Sequence, residues 1–156
     1  MPSFILRHFV LLFLMAVGTV VAPAKTWAAS PEVNLGYFNK LAMNGYDVMT
    51  YWQGGDPQKG DPEIMAQHNG ATWVFLNDEN RQAFLSDPAK YAPQYGGYCA
   101  YAASQNAVAD VDPFAWRIWD EKLYLNYSPQ VRRIWASDID ANIEKANEFW
   151  PDLLKK

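Results

Sequence analysis

The sequence predicts an α+β domain of two antiparallel β-hairpins covered by helices, and three stretches carry that prediction. Residues 63–68 alternate, residues 71–76 are rich in β-branched and aromatic side chains, and Asn69-Gly70 joins them. Two such runs across Asn-Gly are the strongest short-range hairpin signal a sequence offers. Residues 116–119 and 122–126 repeat the arrangement across Asp120-Glu121. Finally, Val131, Ile134, Trp135, Ile139, Ile143 and Ala146 recur at helical spacing, which marks an apolar helix face turned to a core. Hairpins that bury one face against such helices make the α+β class.

Taken in order, the chain opens with the parts of a cleavable signal peptide. Arg7 and His8 precede an uncharged apolar run over residues 9–22, and small residues at Ala22-Pro23-Ala24 and Thr26-Trp27-Ala28 offer cleavage points. That run is shorter than the ~20 residues a membrane-spanning helix needs. Residues 1–28 are therefore expected to be removed, placing the mature protein in the periplasm or outside the cell, with no stable membrane insertion. Residues 29–36 read as a tether and residues 37–156 as one domain.

Residues 46–52 form a short aromatic helical turn, stopped at Gly54-Gly55 by a loop that runs to Pro62. After the first hairpin, Asn77 or Asp78 caps a helix running to Ser86, with Asp78 and Glu79 at its positive end. Asp87-Pro88 ends it. Residues 97–104 hold a small-residue helical turn, and residues 105–113 are polar and loop-like. Beyond the second hairpin, Ser128-Pro129 starts one helix or two in series that reach Trp150-Pro151. No internal repeat is legible in the residue pattern.

Composition narrows the function. The whole chain carries 13 basic and 17 acidic residues; without Arg7 and Lys25 of the leader the net charge is −6. An acidic chain with scattered bases argues against nucleic acid as the partner. Cys99 is the sole cysteine, so no intrachain disulfide forms and stability rests on packing, to which the large aromatic residues contribute.

Residues 91–102, around Gly96-Gly97, hold Cys99 with Tyr91, Tyr95, Tyr98 and Tyr101, and are the expected centre of any site. Gly97 permits positive φ or close backbone approach. Cys99 is a reactive thiol, a soft-metal ligand or a buried small hydrophobe. Its candidate partner is His68, the one histidine beyond the leader, as metal ligand or as general base of a thiol enzyme. Tyr95, Tyr98 and Tyr101 either wall a pocket for a flat apolar ligand or a sugar, or fill a core. Met43, Met49 and Met65 lack the clustered spacing of copper(I) sites and read as core. Asp47, Asp110, Asp112 and Asp120 match no calcium-loop pattern and read as solvated loop residues.

The run His68-Asn69-Gly70-Ala71-Thr72-Trp73-Val74-Phe75, then Phe84, then Asp87-Pro88-Ala89-Lys90-Tyr91, resembles a YHS domain. Upstream, residues 45–52 (GYDVMTYW), and downstream, residues 95–100 (YGGYCA) and 123–128 (LYLNYS), are similar to the exported members of that family. The resemblance spans residues 37–151 and implies a kinship with cysteine-based metal-binding modules. The family's thiols would fall at Thr50, Leu76 and Asn80, none of which is cysteine, so its transition-metal chemistry does not carry over through them. The expectation is an accessory module that binds a small ligand or is associated with a metal, its site formed by Cys99, Tyr98, Tyr95, Tyr101, Gly97 and His68. A thiol-dependent enzyme using Cys99 and an interaction module docking to an envelope protein are the alternatives.

Overall fold

The computed structural model describes residues 31–36 and 39–155. The signal-peptide reading of residues 1–28 lies outside them. Six helices and two two-stranded antiparallel sheets follow one another: α1 (Met49–Trp52), β1 (Asp61–His68), β2 (Ala71–Phe75), α2 (Asp78–Ser86), α3 (Pro88–Tyr91), α4 (Ala100–Ser104), β3 (Asp112–Trp119), β4 (Lys122–Asn126), α5 (Pro129–Ala136) and α6 (Ile139–Leu153). The α+β architecture of hairpins packed on helices is as the sequence predicts.

Local chemistry sets most of the boundaries. Asn77 and Ser128 cap α2 and α5 through their side-chain oxygens, and Asp87 and Asp138 do the same for α3 and α6. The apolar series therefore divides at Ser137-Asp138 into two helices. Ile134 leaves the predicted stripe, being 52% exposed at the edge of α5, while Trp135 and Ala146 are fully buried. Helix α6 continues past Pro151, because burial of Leu153 holds its last turn on the core.

The order of elements also exposes an internal repeat that residue types conceal. Both hairpins begin Asp-Pro, and the registers match: Asp61 pairs Phe75 and Met65 pairs Val74 after a bulge, as Asp112 pairs Asn126 and Trp116 pairs Leu125 after a bulge. Both hairpin turns take two positive φ angles, 47° and 70° at Asn69-Gly70, 47° and 54° at Asp120-Glu121. The caps Asn77 and Ser128 share φ/ψ of −154°/170° and −158°/164°, and Asp87 and Asp138 share −155°/73° and −154°/75°. Upstream, Asn44-Gly45 and Gly96-Gly97 take the same pair of positive φ values, 55° and 78° against 57° and 80°. Equivalent residues stand 52 positions apart up to Gln53 and Gln105, and 51 from Gln58 and Ala109 onward. Identical residues are few (Gly45 and Gly97, Tyr46 and Tyr98, Gln53 and Gln105, Asp61-Pro62 and Asp112-Pro113, Arg81 and Arg132, Ser86-Asp87 and Ser137-Asp138), so the repeat is written mainly in geometry. The absence of a repeat inferred from residue pattern is thereby corrected.

The two copies share strand β4. Leu123 and Leu125 enter the core of the first copy with Met43, Val48, Tyr51, Trp73, Phe75 and Phe84. Tyr124, on the other face, enters the core of the second with Tyr95, Ala103, Trp135 and Ala146. A strand buried on both faces must be apolar throughout, and residues 123–125 are.

Residues 31–36, expected to be a tether, are packed. Val33 and Asn34 are buried, the Asn34 N–H donates to Gly96 O at 2.8 Å, and its side chain donates to Gly97 O and Asp110 Oδ1 at 3.2 and 3.0 Å. Gly96 makes this possible: a Cβ there would overlap the Glu32 carbonyl oxygen. Short polar segments carry no sequence signal for such docking.

Candidate functional site

Cys99 lies at the N-cap of α4, 1% exposed. Its Sγ accepts the N–H of Ala102 at 3.4 Å and of Tyr127 at 3.3 Å, and its S–H faces Asn126 Oδ1 at 3.9 Å. The repeat explains this arrangement. Asp47 holds the equivalent position, fully buried, with Oδ1 accepting from Met49 N at 2.9 Å and Oδ2 from Leu76 N at 2.8 Å. Leu76 is the counterpart of Tyr127, and both equivalent backbone N–H groups at the next strand link survive as well: Asp47 N donates to Gln58 O and Cys99 N to Ala109 O. In both copies, one buried acceptor ties a helical turn to the end of the second hairpin strand. Asp47 is therefore a structural carboxylate and not a solvated loop residue, because those backbone donors need an acceptor inside the core.

His68 and Cys99 share no hydrogen bond. The His68 ring is half-buried, edge-on to Phe84 at 5.6 Å and tilted to Trp73 at 6.4 Å, and its carbonyl accepts from Trp73 Nε1. Among the described residues, no group of three or more His, Cys, Asp or Glu side chains is arranged to hold a metal ion. Met43 and Met49 are buried in the first core and Met65 is exposed.

The tyrosines are mostly pillars. Tyr98 donates to Pro31 O at 3.0 Å, and burial, reinforced by Asp110, raises its pKa. Tyr95 takes positive φ and donates to Asn147 Oδ1 at 3.0 Å, with burial and then Tyr124 raising its pKa strongly. Tyr101 supplies backbone contacts, its N–H donating to Asn126 Oδ1 and its carbonyl accepting from Ser104 Oγ. Gly97 takes φ of 80°, and a Cβ there would press on Pro93 and Met43.

Two clefts among the described residues are equivalent. The first, about 120 Å³, is lined by His68, Asn69, Trp73, Ala92, Pro93 and Gly96. The second, about 610 Å³, is lined by Trp119, Asp120, Tyr124, Ile143, Glu144 and Asn147, each 51 positions further on, together with Lys122 and Asp140. The first is also lined by Glu32, Val33 and Trp150, so the chain's own N-terminal segment and last helix crowd it. The second has no such filler among the described residues.

The open cleft lies between the β3–β4 turn and α6. Trp119 Nε1 donates to Asp140 Oδ1 at 3.1 Å, which orients ring and carboxylate together, and the Arg117 guanidinium lies 5.5 Å from the ring centroid. Tyr124 forms the deep wall, 2% exposed and tilted against Trp135 at 5.2 Å; burial and then Asp120 raise its pKa. Its hydroxyl makes no hydrogen bond within the described residues. Tyr95, one of the predicted site residues, reaches this cleft indirectly by holding Asn147. Sequence reasoning missed Trp119, Tyr124, Asp140 and Glu144, because the helical stripe draws attention to the apolar face of α6, from which Ile143 alone borders the cleft. The signal available was Trp119 at a hairpin end beside Asp120.

No family model matches the chain, and no curated protein or solved structure matches it either. Among the described residues, the large apolar side chains exposed at the surface are Met65, Leu85, Phe114, Tyr127 and Ile134, of which one is a tyrosine and none a tryptophan. No helix of the described residues is long and apolar enough to cross a membrane.

Proposed function

We propose that this chain is an exported, YHS-like module that binds a small ligand, and that the open cleft of its second repeat is the site. One observation carries the reading: of two equivalent clefts, the chain fills the first with its own residues 32–33 and Trp150 and leaves the second open at about 610 Å³. That volume lies in the range of small-molecule sites, and aromatic walls with a few polar groups are their usual lining. Export rests on the leader-like composition of residues 1–28. The kinship with YHS domains rests on the sequence resemblance alone, which would put that family's thiols at Thr50, Leu76 and Asn80. Around Asp47, Thr50 Oγ1 donates to Asp47 O at 2.7 Å, Leu76 N to Oδ2 at 2.8 Å and Asn80 Nδ2 to Oδ2 at 2.6 Å. A hydrogen-bonded carboxylate thus occupies the place in which thiols would meet, which favours a small organic ligand over a metal as cargo.

The test is a small-fragment screen of the chain lacking residues 1–28 by ¹H–¹⁵N spectra. Hits are expected to move the Trp119 indole resonance and the α6 amides of Ile143 to Asn147. Hits that move the Trp73 and Trp150 indoles and leave Trp119 still would remove the second-repeat site.

A further inference from the structure

Resting on the open cleft as the binding site, we propose that its ligand is an organic polyamine, a flexible aliphatic chain carrying two or more ammonium groups. Three carboxylates, Asp120, Asp140 and Glu144, line the cleft against one ammonium, Lys122, with the Arg117 guanidinium beside the Trp119 ring. The ion pairs among the described residues, Arg81–Asp78 and Lys155–Asp152, involve none of them. Negative charge left uncompensated around a concave surface raises the local concentration of cations. The three carboxylates do not converge into a metal-holding group, and charges spread along a groove match ammonium groups spaced by methylenes better than a point ion.

The walls suit the rest of such a ligand. Trp119 already has a guanidinium over its ring, so its indole is positioned to meet cations, and Ile143 offers apolar contact to a methylene chain. At the base, Tyr124 is 2% exposed and lines the cleft, and a phenolic oxygen there can accept an N–H from an incoming ammonium. The first repeat acts as an internal control. At the positions of Asp120, Asp140 and Glu144 it has Asn69, Ala89 and Pro93, and at Trp119 it has His68. The charge and the indole are thus features of the open cleft and not of the shared scaffold.

Calorimetric titration of the chain lacking residues 1–28 with spermidine tests this, beside a neutral trisaccharide and magnesium chloride. Spermidine is expected to bind at low salt, and about ten-fold more weakly at about 0.2 M salt, where screening is strong. Glu144→Gln, an exposed change that leaves the core untouched, is expected to weaken binding by about three- to ten-fold, and Trp119→Ala by about ten-fold. The distant control Glu79→Gln is expected to change nothing. Equal spermidine affinity in the parent and Glu144→Gln overturns the proposal, as does displacement of spermidine by magnesium at matched ionic strength. Binding of the trisaccharide without spermidine overturns the polyamine and leaves the cleft as a site; binding of neither overturns both.

Discussion

Asp47 and Cys99 hold the same place in two successive copies of one chain trace, each a buried acceptor for a helical-turn N–H and for the N–H that follows the second hairpin strand. A carboxylate in one copy and a thiol in the other do one structural job. The lone cysteine is thereby accounted for without a reaction.

Removing either acceptor is expected to destabilise the fold in proportion to the donors left behind. Cys99→Ser keeps an acceptor and is expected to cost about 1 kcal/mol, whereas Cys99→Ala leaves two part-buried N–H groups without their acceptor and is expected to cost about 2 kcal/mol. Asp47→Ala strands two backbone donors and the Asn80 amide, and is expected to cost about 3–5 kcal/mol. Urea denaturation measures all three. A Cys99→Ala chain as stable as the parent would remove the capping role.

The thiol itself is expected to be silent in the folded protein. At 1% exposure, Cys99 should react with a neutral aromatic disulfide reagent at neutral pH only as fast as the protein opens, and at once in denaturant. Rapid labelling of the native chain would instead restore a thiol-dependent enzyme as a candidate.

Tyr51 invites a stabilising change. Its side chain is buried, packed edge-on to Trp116 at 5.5 Å, and its hydroxyl has no hydrogen-bond partner among the described residues. Tyr51→Phe keeps the ring and removes the stranded group, so stability is expected to be unchanged or raised by up to about 1 kcal/mol. A thermal melt reads the sign, and a marked loss would reveal a partner for that oxygen.

Alkaline pH should unfold the protein through its tyrosines. Tyr51, Tyr95, Tyr98 and Tyr124 all have their pKa raised, in each case first by burial. A raised acid holds its proton more tightly when folded, so above about pH 10 the unfolded chain binds fewer protons and the slope of stability with pH is negative. The stabilisation is complete below the unfolded value and is lost as pH rises towards the folded one. Phenolate absorbance should therefore show these four ionising together with the loss of tertiary signal. Smooth ionisation of all tyrosines near pH 10 in a still-folded chain would contradict their burial.

Gly96 should control the first cleft. A methyl group there meets the Glu32 carbonyl, and φ of 57° is unfavourable for a side chain, so Gly96→Ala is expected to cost about 2–3 kcal/mol and release residues 31–36. Limited proteolysis should then cut before Leu41 while the parent resists. Continued resistance would mean that Val33 alone holds the segment.

What was legible in the sequence follows the range of each signal. Asn69-Gly70, Asn77, Asp87 and Ser128 act on neighbours within three or four residues, so hairpin, caps and helix starts could be read from types and spacing alone. The α3 turn from Pro88 was overlooked because Asp87-Pro88 signals a stop and a start equally. The candidate site was legible only in part. His68 lines the filled cleft, Tyr95 lines neither and only holds Asn147 at the open one, and Cys99 borders neither.

By itself, then, the sequence determined the fold class, the two hairpins, the capped helices and an acidic surface without disulfides, since each arises from local backbone chemistry or from composition. Only the tertiary structure decided that the chain repeats itself, that Asp47 and Cys99 are equivalent, and that one of two matched clefts is filled. The physical reason is that these depend on contacts between residues 28 or more positions apart, such as Tyr127 with Cys99 and Asn34 with Gly96, and on backbone angles that several residue types can satisfy.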